Sequence, residues 1–246
     1  MDPGRSTARW GALFRDRRDA GIQLAEALSS YRGQDVLVLG IPRGGVVVAA
    51  EVARRLEAEL DVIVARKLGA PISRELAIGA VTADGERYLN EDILRELHVS
   101  ERYLQTVTEE EQAEARRREE RFRAGRPPAR IAGRTVILVD DGLATGATMR
   151  AAVRSVRRQG PARLVIAVPV GARETCEELR AEADEVVCLQ QPEPFWAVGA
   201  HYQHFEPVDD DTVQELLRSF APVTREPDWP AGRGGNPWQA RAPPWR

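Results

Sequence analysis

Val136-Ile137-Leu138-Val139-Asp140-Asp141-Gly142-Leu143-Ala144-Thr145-Gly146-Ala147-Thr148 decides how this chain is read. Four consecutive apolar residues describe a strand buried on both faces, as in the middle of a parallel sheet. Two carboxylates stand at its carboxyl end, where open α/β sheets bind their ligands. A small, hydroxyl-bearing loop leads from there into a helix over Ala147 to Gln159, ended by Gly160-Pro161. Glycine, alanine and threonine at a helix N-terminus let main-chain N–H groups approach a phosphate, and the helix dipole adds about half a unit of positive charge. Adjacent carboxylates repel that phosphate, so they face something else: sugar hydroxyls, whose hydrogen bonds they accept, or a divalent metal. A phosphate cradle beside a hydroxyl-binding acid pair describes a seat for ribose 5-phosphate.

Outward from this stretch, apolar runs alternate with helical patterns, which predicts an α/β fold with a mostly parallel, Rossmann-like sheet flanked by helices. Val36 to Gly40, Asp61 to Ala65, Thr135 to Val139, Leu164 to Val168 and Glu185 to Leu189 read as strands. Phe14 to Ser30, Val46 to Leu60, Arg173 to Glu182 and Asp209 to Phe220 read as helices. Between Lys67 and Asn90, turn residues separate two short strand candidates, Ala77 to Thr82 and Arg87 to Leu89, a hairpin excursion. Ser100 to Arg123 is densely charged, with acids mainly ahead of bases, and predicts a solvated helix. The expected domains are an N-terminal helix (1–30), a core (31–190), an aromatic, proline-rich segment (191–220) and a loosely held tail (221–246) that carries three tryptophans and no periodicity.

Composition narrows the function classes. The 246 residues include 35 Lys plus Arg against 38 Asp plus Glu, a net charge of −3 that provides no overall field to gather nucleic acid. Apolar runs stop well short of the roughly 18 to 20 residues that span a bilayer, and Met1 to Trp10 is too polar for a signal peptide. No membrane association and a cytoplasmic setting are therefore expected. Cys176 and Cys188 are too few for a disulfide framework and read as small buried hydrophobes. Lys67 is the only lysine in an arginine-rich chain. A site that needs a compact, mobile point charge does not accept the planar guanidinium fork, which makes Lys67 a candidate functional residue.

The stretch from Val136 to Thr148 resembles the PRPP-binding signature of the type I phosphoribosyltransferases, PRPP being 5-phosphoribosyl 1-pyrophosphate. The resemblance implies that Asp140 and Asp141 hold the ribose hydroxyls, with a metal role through water, and that Ala144, Thr145, Gly146, Ala147 and Thr148 wrap the 5-phosphate. Gly142 departs from the apolar residue that many members carry. Pro42-Arg43-Gly44-Gly45 resembles the family's pyrophosphate loop, which makes Arg43, Gly44 and Gly45 candidate contacts to the leaving group. Arg66-Lys67 is similar to the Arg-Lys pair ahead of the flexible loop in orotate phosphoribosyltransferases, where the lysine meets PRPP phosphates. Residues of about 67–90 would then be a flexible hairpin loop that closes over the site, with Glu75 either reaching in or standing as a surface carboxylate. Residues 191–220 would be the hood over the acceptor, with Phe195 and Trp196 stacking on the base.

Within the family the chain looks closest to bacterial members of unassigned acceptor that share Phe14-Arg15-Asp16-Arg17 and an Ala197-Val198-Gly199-x-x-Tyr202 hood. The resemblance implies transfer of ribose 5-phosphate from PRPP to a nitrogenous base, Mg2+ as cofactor and a homodimer. A PRPP- or nucleotide-binding regulator on the same fold is the alternative, disfavoured by the intact Arg43 turn and Lys67. A phosphotransfer receiver lacks its phosphoacceptor aspartate. His201 and His204, at i and i+3, lack a third metal ligand.

Overall fold

The computed structural model describes residues 13–220; the segments 1–12 and 221–246, and with them the tail read from composition, lie outside the described residues. The first half runs α1 (Arg17–Ala27), β1 (Val36–Gly40), α2 (Gly44–Leu56), β2 (Glu59–Val62), β3 (Ala65–Ala70), β4 (Ser73–Thr82), β5 (Arg87–Leu89), α3 (Glu91–Glu96) and α4 (Glu101–Arg123). The second runs β6 (Thr135–Val139), α5 (Ala147–Arg158), β7 (Arg163–Val170), α6 (Arg173–Leu179), β8 (Glu185–Gln190) and α7 (Asp210–Ser219).

Five strands form a parallel sheet in the order β2-β1-β6-β7-β8, the expected mostly parallel core flanked by helices. Its central strands are apolar at nearly every position because both faces are covered. Val36, Val38, Ile137 and Val139 point into a cluster beneath α1, α2, α4 and α7. Their neighbours Leu37, Leu39, Val136 and Leu138 join Met149 and Val153 of α5 and Leu179 of α6 on the other face. Each such fully buried side chain contributes roughly 1.5 to 3 kcal/mol relative to exposure. Strand order reverses between β1 and β6, whose register pairs Gly40 with Val139. The loops that leave these two strands are therefore neighbours at a topological switch point.

The boundaries differ from the expected ones in several places. Asp16 accepts from the Asp19 N–H and starts α1 at Arg17 rather than Phe14. Glu57 turns left-handed at φ 58°, ending α2 before β2 begins at Glu59. The apolar run Asp61 to Ala65 is not one strand: β2 stops at Val62, and Ala65 already belongs to β3. Ile63 and Val64 link the two while buried, so hydrophobicity alone does not mark the end of the strand. Residues 67–90 hold most of a three-stranded antiparallel sheet, β3-β4-β5, with β4 starting at Ser73. The charged stretch is a helix as expected, yet not wholly solvated: Leu104, Ala115 and Phe122 are buried. The helix α3, capped by the Asn90 side chain, had no counterpart in the sequence pattern.

Candidate active site

The site begins at the switch point, where the turn after β1 lies against the loop after β6. Gly44 and Gly45 are required there by close approach. A Cβ on Gly45 would stand 2.8 Å from the Asp140 Cα, and one on Gly44 would fall 1.9 Å from Asp141 Oδ2. The Ile41 N–H donates to the Val139 carbonyl at 2.9 Å, continuing the β1–β6 ladder into the turn. Helices α1, α3, α4 and α7 carry a side-chain cap on their first turn, from Asp16, Asn90, Ser100 and Asp209. Like the short α6, the two helices that start at this point, α2 and α5, carry none. Their first-turn N–H groups are thus the donors that an anion at the switch point would satisfy.

Gly146 opens α5 at φ +73°, a conformation that favours glycine, and a Cβ there would lie 2.7 Å from Thr175 Cγ2. The loop before it is fastened from below. The Leu143 N–H donates to the Val170 carbonyl at 2.9 Å, the Ala172 N–H to the Leu143 carbonyl at 2.8 Å, and the Thr175 hydroxyl to the Ala144 carbonyl at 2.7 Å. Ala144 and Thr145 are left exposed at the tip. Gly142 also has a spatial reason: a Cβ would stand 2.5 Å from Val198 Cγ1, so residues 191–220 press on this loop where an apolar side chain would not fit.

The two acids are held differently. Asp140 Oδ1 accepts the Asp141 N–H at 2.8 Å, and among the described residues no N–H or O–H donor reaches its other oxygen. Lost hydration, and next the Asp141 charge, hold the Asp140 carboxyl well above the ordinary carboxylate range. Asp141 Oδ2 accepts from Arg17 Nε at 2.7 Å, and its carbonyl accepts from the Tyr202 hydroxyl at 2.5 Å. Burial, with the Asp141 charge second, pushes the Tyr202 phenol up, so it stays a donor. Each acid keeps one oxygen without an N–H donor, and the two carboxyls lie against one another, a pair that a cation or hydroxyl donors would relieve. Hard oxygen donors of this kind fit Mg2+, which takes one or two carboxylates from a protein and the rest from phosphates and water.

The cationic candidates are dispersed. Arg66 and Lys67 open β3 rather than closing β2, and both line a cavity of about 560 Å³ together with Pro42 and Thr148. Lys67 also lines a smaller cavity of about 170 Å³ with Thr145, Ala147 and Glu75, so it borders the loop on two sides. Arg66 Nε pairs with Glu111 of α4, a contact between segments 45 residues apart that sequence patterning does not reveal. Arg43 leans toward α7, with Nη1 3.5 Å from Asp210 Oδ1. Phe195 is half-buried with its ring 5.2 Å from that of His201, whereas Trp196 is 80% exposed. His201 Nε2 is buried without a partner among the described residues, and burial lowers its pKa; His204 faces Glu206 instead. Arg17, missed as a site residue, was signalled only as part of the Phe14–Arg17 motif.

A parallel sheet flanked by helices, with a glycine-containing loop and an acid pair at its switch point, defines the class: an α/β protein whose candidate site lies at the carboxyl ends of its central strands. The family of the phosphoribosyl transferase domain matches residues 10–204, and the chain belongs to it. It is 48% identical over 213 residues to Rv0571c of Mycobacterium tuberculosis, which is provisionally named a phosphoribosyl transferase. That match covers 85% of this chain and 48% of the relative, so the chain spans about half the length of the curated relatives it matches. The crystal structure of TT1426 from Thermus thermophilus is 50% identical, covers 85% of this chain and 99% of its own, and superposes with a TM-score of 0.72. No helix among the described residues is long and apolar enough to cross a membrane.

Proposed function

We propose that the chain transfers the 5-phosphoribosyl group of PRPP to a nitrogenous base and releases pyrophosphate. The observation that carries this is the placement of two uncapped helix starts, at Gly44 and Ala147, after the neighbouring strands β1 and β6, with the Gly44-Gly45 turn packed directly against the acid pair Asp140–Asp141. In the transfer, the bond from the anomeric carbon to the pyrophosphate oxygen breaks and a bond to the base nitrogen forms, with oxocarbenium character between. Side chains then have little covalent work. The N–H groups at Ala147 and Thr148 grip the 5-phosphate, and the open oxygens of Asp140 and Asp141 accept from the ribose hydroxyls, fixing the sugar for in-line displacement. Main-chain donors at Gly44 and Gly45, with Arg43, Arg66 and Lys67, meet the charge that gathers on the leaving pyrophosphate.

Mg2+, held by Asp140 and Asp141, would supply charge neutralisation to that pyrophosphate. The β3–β4 hairpin, whose tip at 71–76 is exposed, is the segment that would close over the site and exclude water. Phe195 is the base-stacking candidate of the hood, at roughly 1 to 3 kcal/mol for such a contact. The working unit is taken to be a homodimer in the cytoplasm. A second reading, PRPP binding without turnover, draws support from the protein acids that already engage two of the proposed cations, Glu111 on Arg66 and Asp210 on Arg43. Mass spectrometry on a panel of bases incubated with PRPP and Mg2+ separates them. A ribosylated base with pyrophosphate release supports transfer; PRPP binding with no product across the panel supports the regulator.

A further inference from the structure

We propose that Arg17 is a positioning residue that locks Asp141 for the ribose and couples that grip to the hood; the inference rests on the transfer reading above. Arg17 is the first residue of α1, and its side chain is 11% exposed against 16% for Asp141. Its guanidinium makes three contacts at once. Nε donates to Asp141 Oδ2 at 2.7 Å, Nη1 donates to the Glu206 carbonyl at 2.9 Å, and the planar face lies 3.8 Å from the Phe205 ring centroid. Phe205 packs 5.0 Å from Tyr202, whose hydroxyl holds the main chain of the same Asp141. Both ends of Asp141 are therefore gripped by α1 and by residues 198–206.

This arrangement leaves Asp141 little freedom. One Asp141 oxygen is held by the Nε of a guanidinium that is itself fixed by the Glu206 carbonyl and the Phe205 ring, which restricts rotation about the last carboxylate bond and gives the other oxygen a preferred heading. Gly44 closes the remaining space: an added Cβ would stand 1.9 Å from Asp141 Oδ2 and 2.6 Å from Arg17 Nε. A lysine would keep the charge but has neither a planar face to stack on Phe205 nor a rigid set of donors to hold Asp141 and the Glu206 carbonyl at fixed headings. The ligand feature that Arg17 serves is thus the hydroxyl pair of a ribose, not the phosphate, which the α5 start binds independently. An acceptor that shifts the hood at Phe205 would be felt at Asp141 through the same guanidinium.

Calorimetric titration of the full chain with ribose 5-phosphate, and separately with inorganic phosphate, tests this on wild type, Arg17→Gln, Arg17→Lys and Phe205→Leu, with Tm recorded for each. Loss of one charge-assisted hydrogen bond predicts about tenfold weaker ribose 5-phosphate binding in Arg17→Gln, with inorganic phosphate unchanged. Arg17→Lys should recover part of the loss, and Phe205→Leu, which spares the ion pair, should show a smaller loss of the same selectivity. Should Arg17→Gln fail to fold, the other two variants must still show the selective loss. Wild-type affinity for ribose 5-phosphate in the variants, or equal losses for both ligands, overturns the positioning role alone. Failure of the wild type to bind ribose 5-phosphate overturns the transfer reading and this inference with it.

Discussion

The central sheet carries one acid within β2, which is buried, and another just past β6, which is half-buried, and the two are treated in opposite ways. Asp61, in β2, is 1% exposed and fully engaged: its oxygens accept from Arg123 Nε at 3.0 and 3.1 Å, from the Val62 N–H at 2.8 Å and from the Ala129 N–H at 2.9 Å. Asp140, just past β6, accepts one bond from its own neighbour and sits beside a second carboxylate. Polar groups removed from water are ordinarily partnered, as Asp61 is, and the half-buried Asp140 with its single bond is the acid that the proposed sugar or metal would engage. On the proposed reading, the difference separates a carboxylate that holds the fold from one that meets a ligand.

The largest effect expected from this contrast is on Asp61. Asp61→Ala leaves Arg123 Nε and the Ala129 N–H without their acceptor, while Glu119 and the Val62 carbonyl still hold the rest of the guanidinium, and urea unfolding should show a loss of about 2 to 4 kcal/mol. Ribose 5-phosphate affinity of the folded fraction should stay as it was. A mild stability loss would erase the distinction between the two acids.

Asp140→Asn should behave in the reverse sense, weakening ribose 5-phosphate by about tenfold to a hundredfold, the range of one charged hydrogen bond, without lowering Tm. The pH dependence sharpens this. A carboxyl whose folded pKa lies above its unfolded value stabilises the fold most at low pH, and that contribution is lost as pH rises through the folded pKa. In chelator and without ligand, wild-type Tm should therefore fall relative to Asp140→Asn as pH climbs above the ordinary carboxylate range. A difference that stays flat with pH would mean Asp140 is as well satisfied as Asp61.

Smaller effects lie at the rim. Lys67→Arg should lower turnover about tenfold, roughly 1.4 kcal/mol, at unchanged Tm, because the guanidinium fork cannot replace a mobile point charge; steady-state rates on an identified acceptor decide it. Thr175→Val removes the hydroxyl that secures the Ala144 carbonyl at 2.7 Å and should cost about 1 kcal/mol in urea unfolding. An unaltered midpoint would mean the loop is held by Leu143 alone.

The same contrast marks what the sequence discloses. Central strands announce themselves because burial on both faces demands apolar residues at nearly every position, and the acid pair and glycines of 140–148 stand out because a strand end, two like charges and a small loop seldom coincide without a ligand. Asp61 and Asp140 are nevertheless the same residue type, each beside an apolar strand. What distinguishes their surroundings is Arg123, 62 residues from Asp61, whereas beside Asp140 the guanidinium of Arg17 goes to the neighbouring Asp141, 124 residues away. Such partnerships arise only when helices dock. The break at Ile63 and Val64 was hidden for a related reason: a buried link between two sheets needs the same side chains as a strand.

Comparing ribose 5-phosphate with 2-deoxyribose 5-phosphate by calorimetry on the wild-type chain tests the central claim most directly, since the two ligands share a phosphate and differ by one hydroxyl. Acids aimed at the sugar predict about tenfold tighter binding of ribose 5-phosphate, the worth of one hydrogen bond to a charged acceptor. Equal affinities would contradict the account, because the Asp140–Asp141 pair would then not be reading the sugar at all.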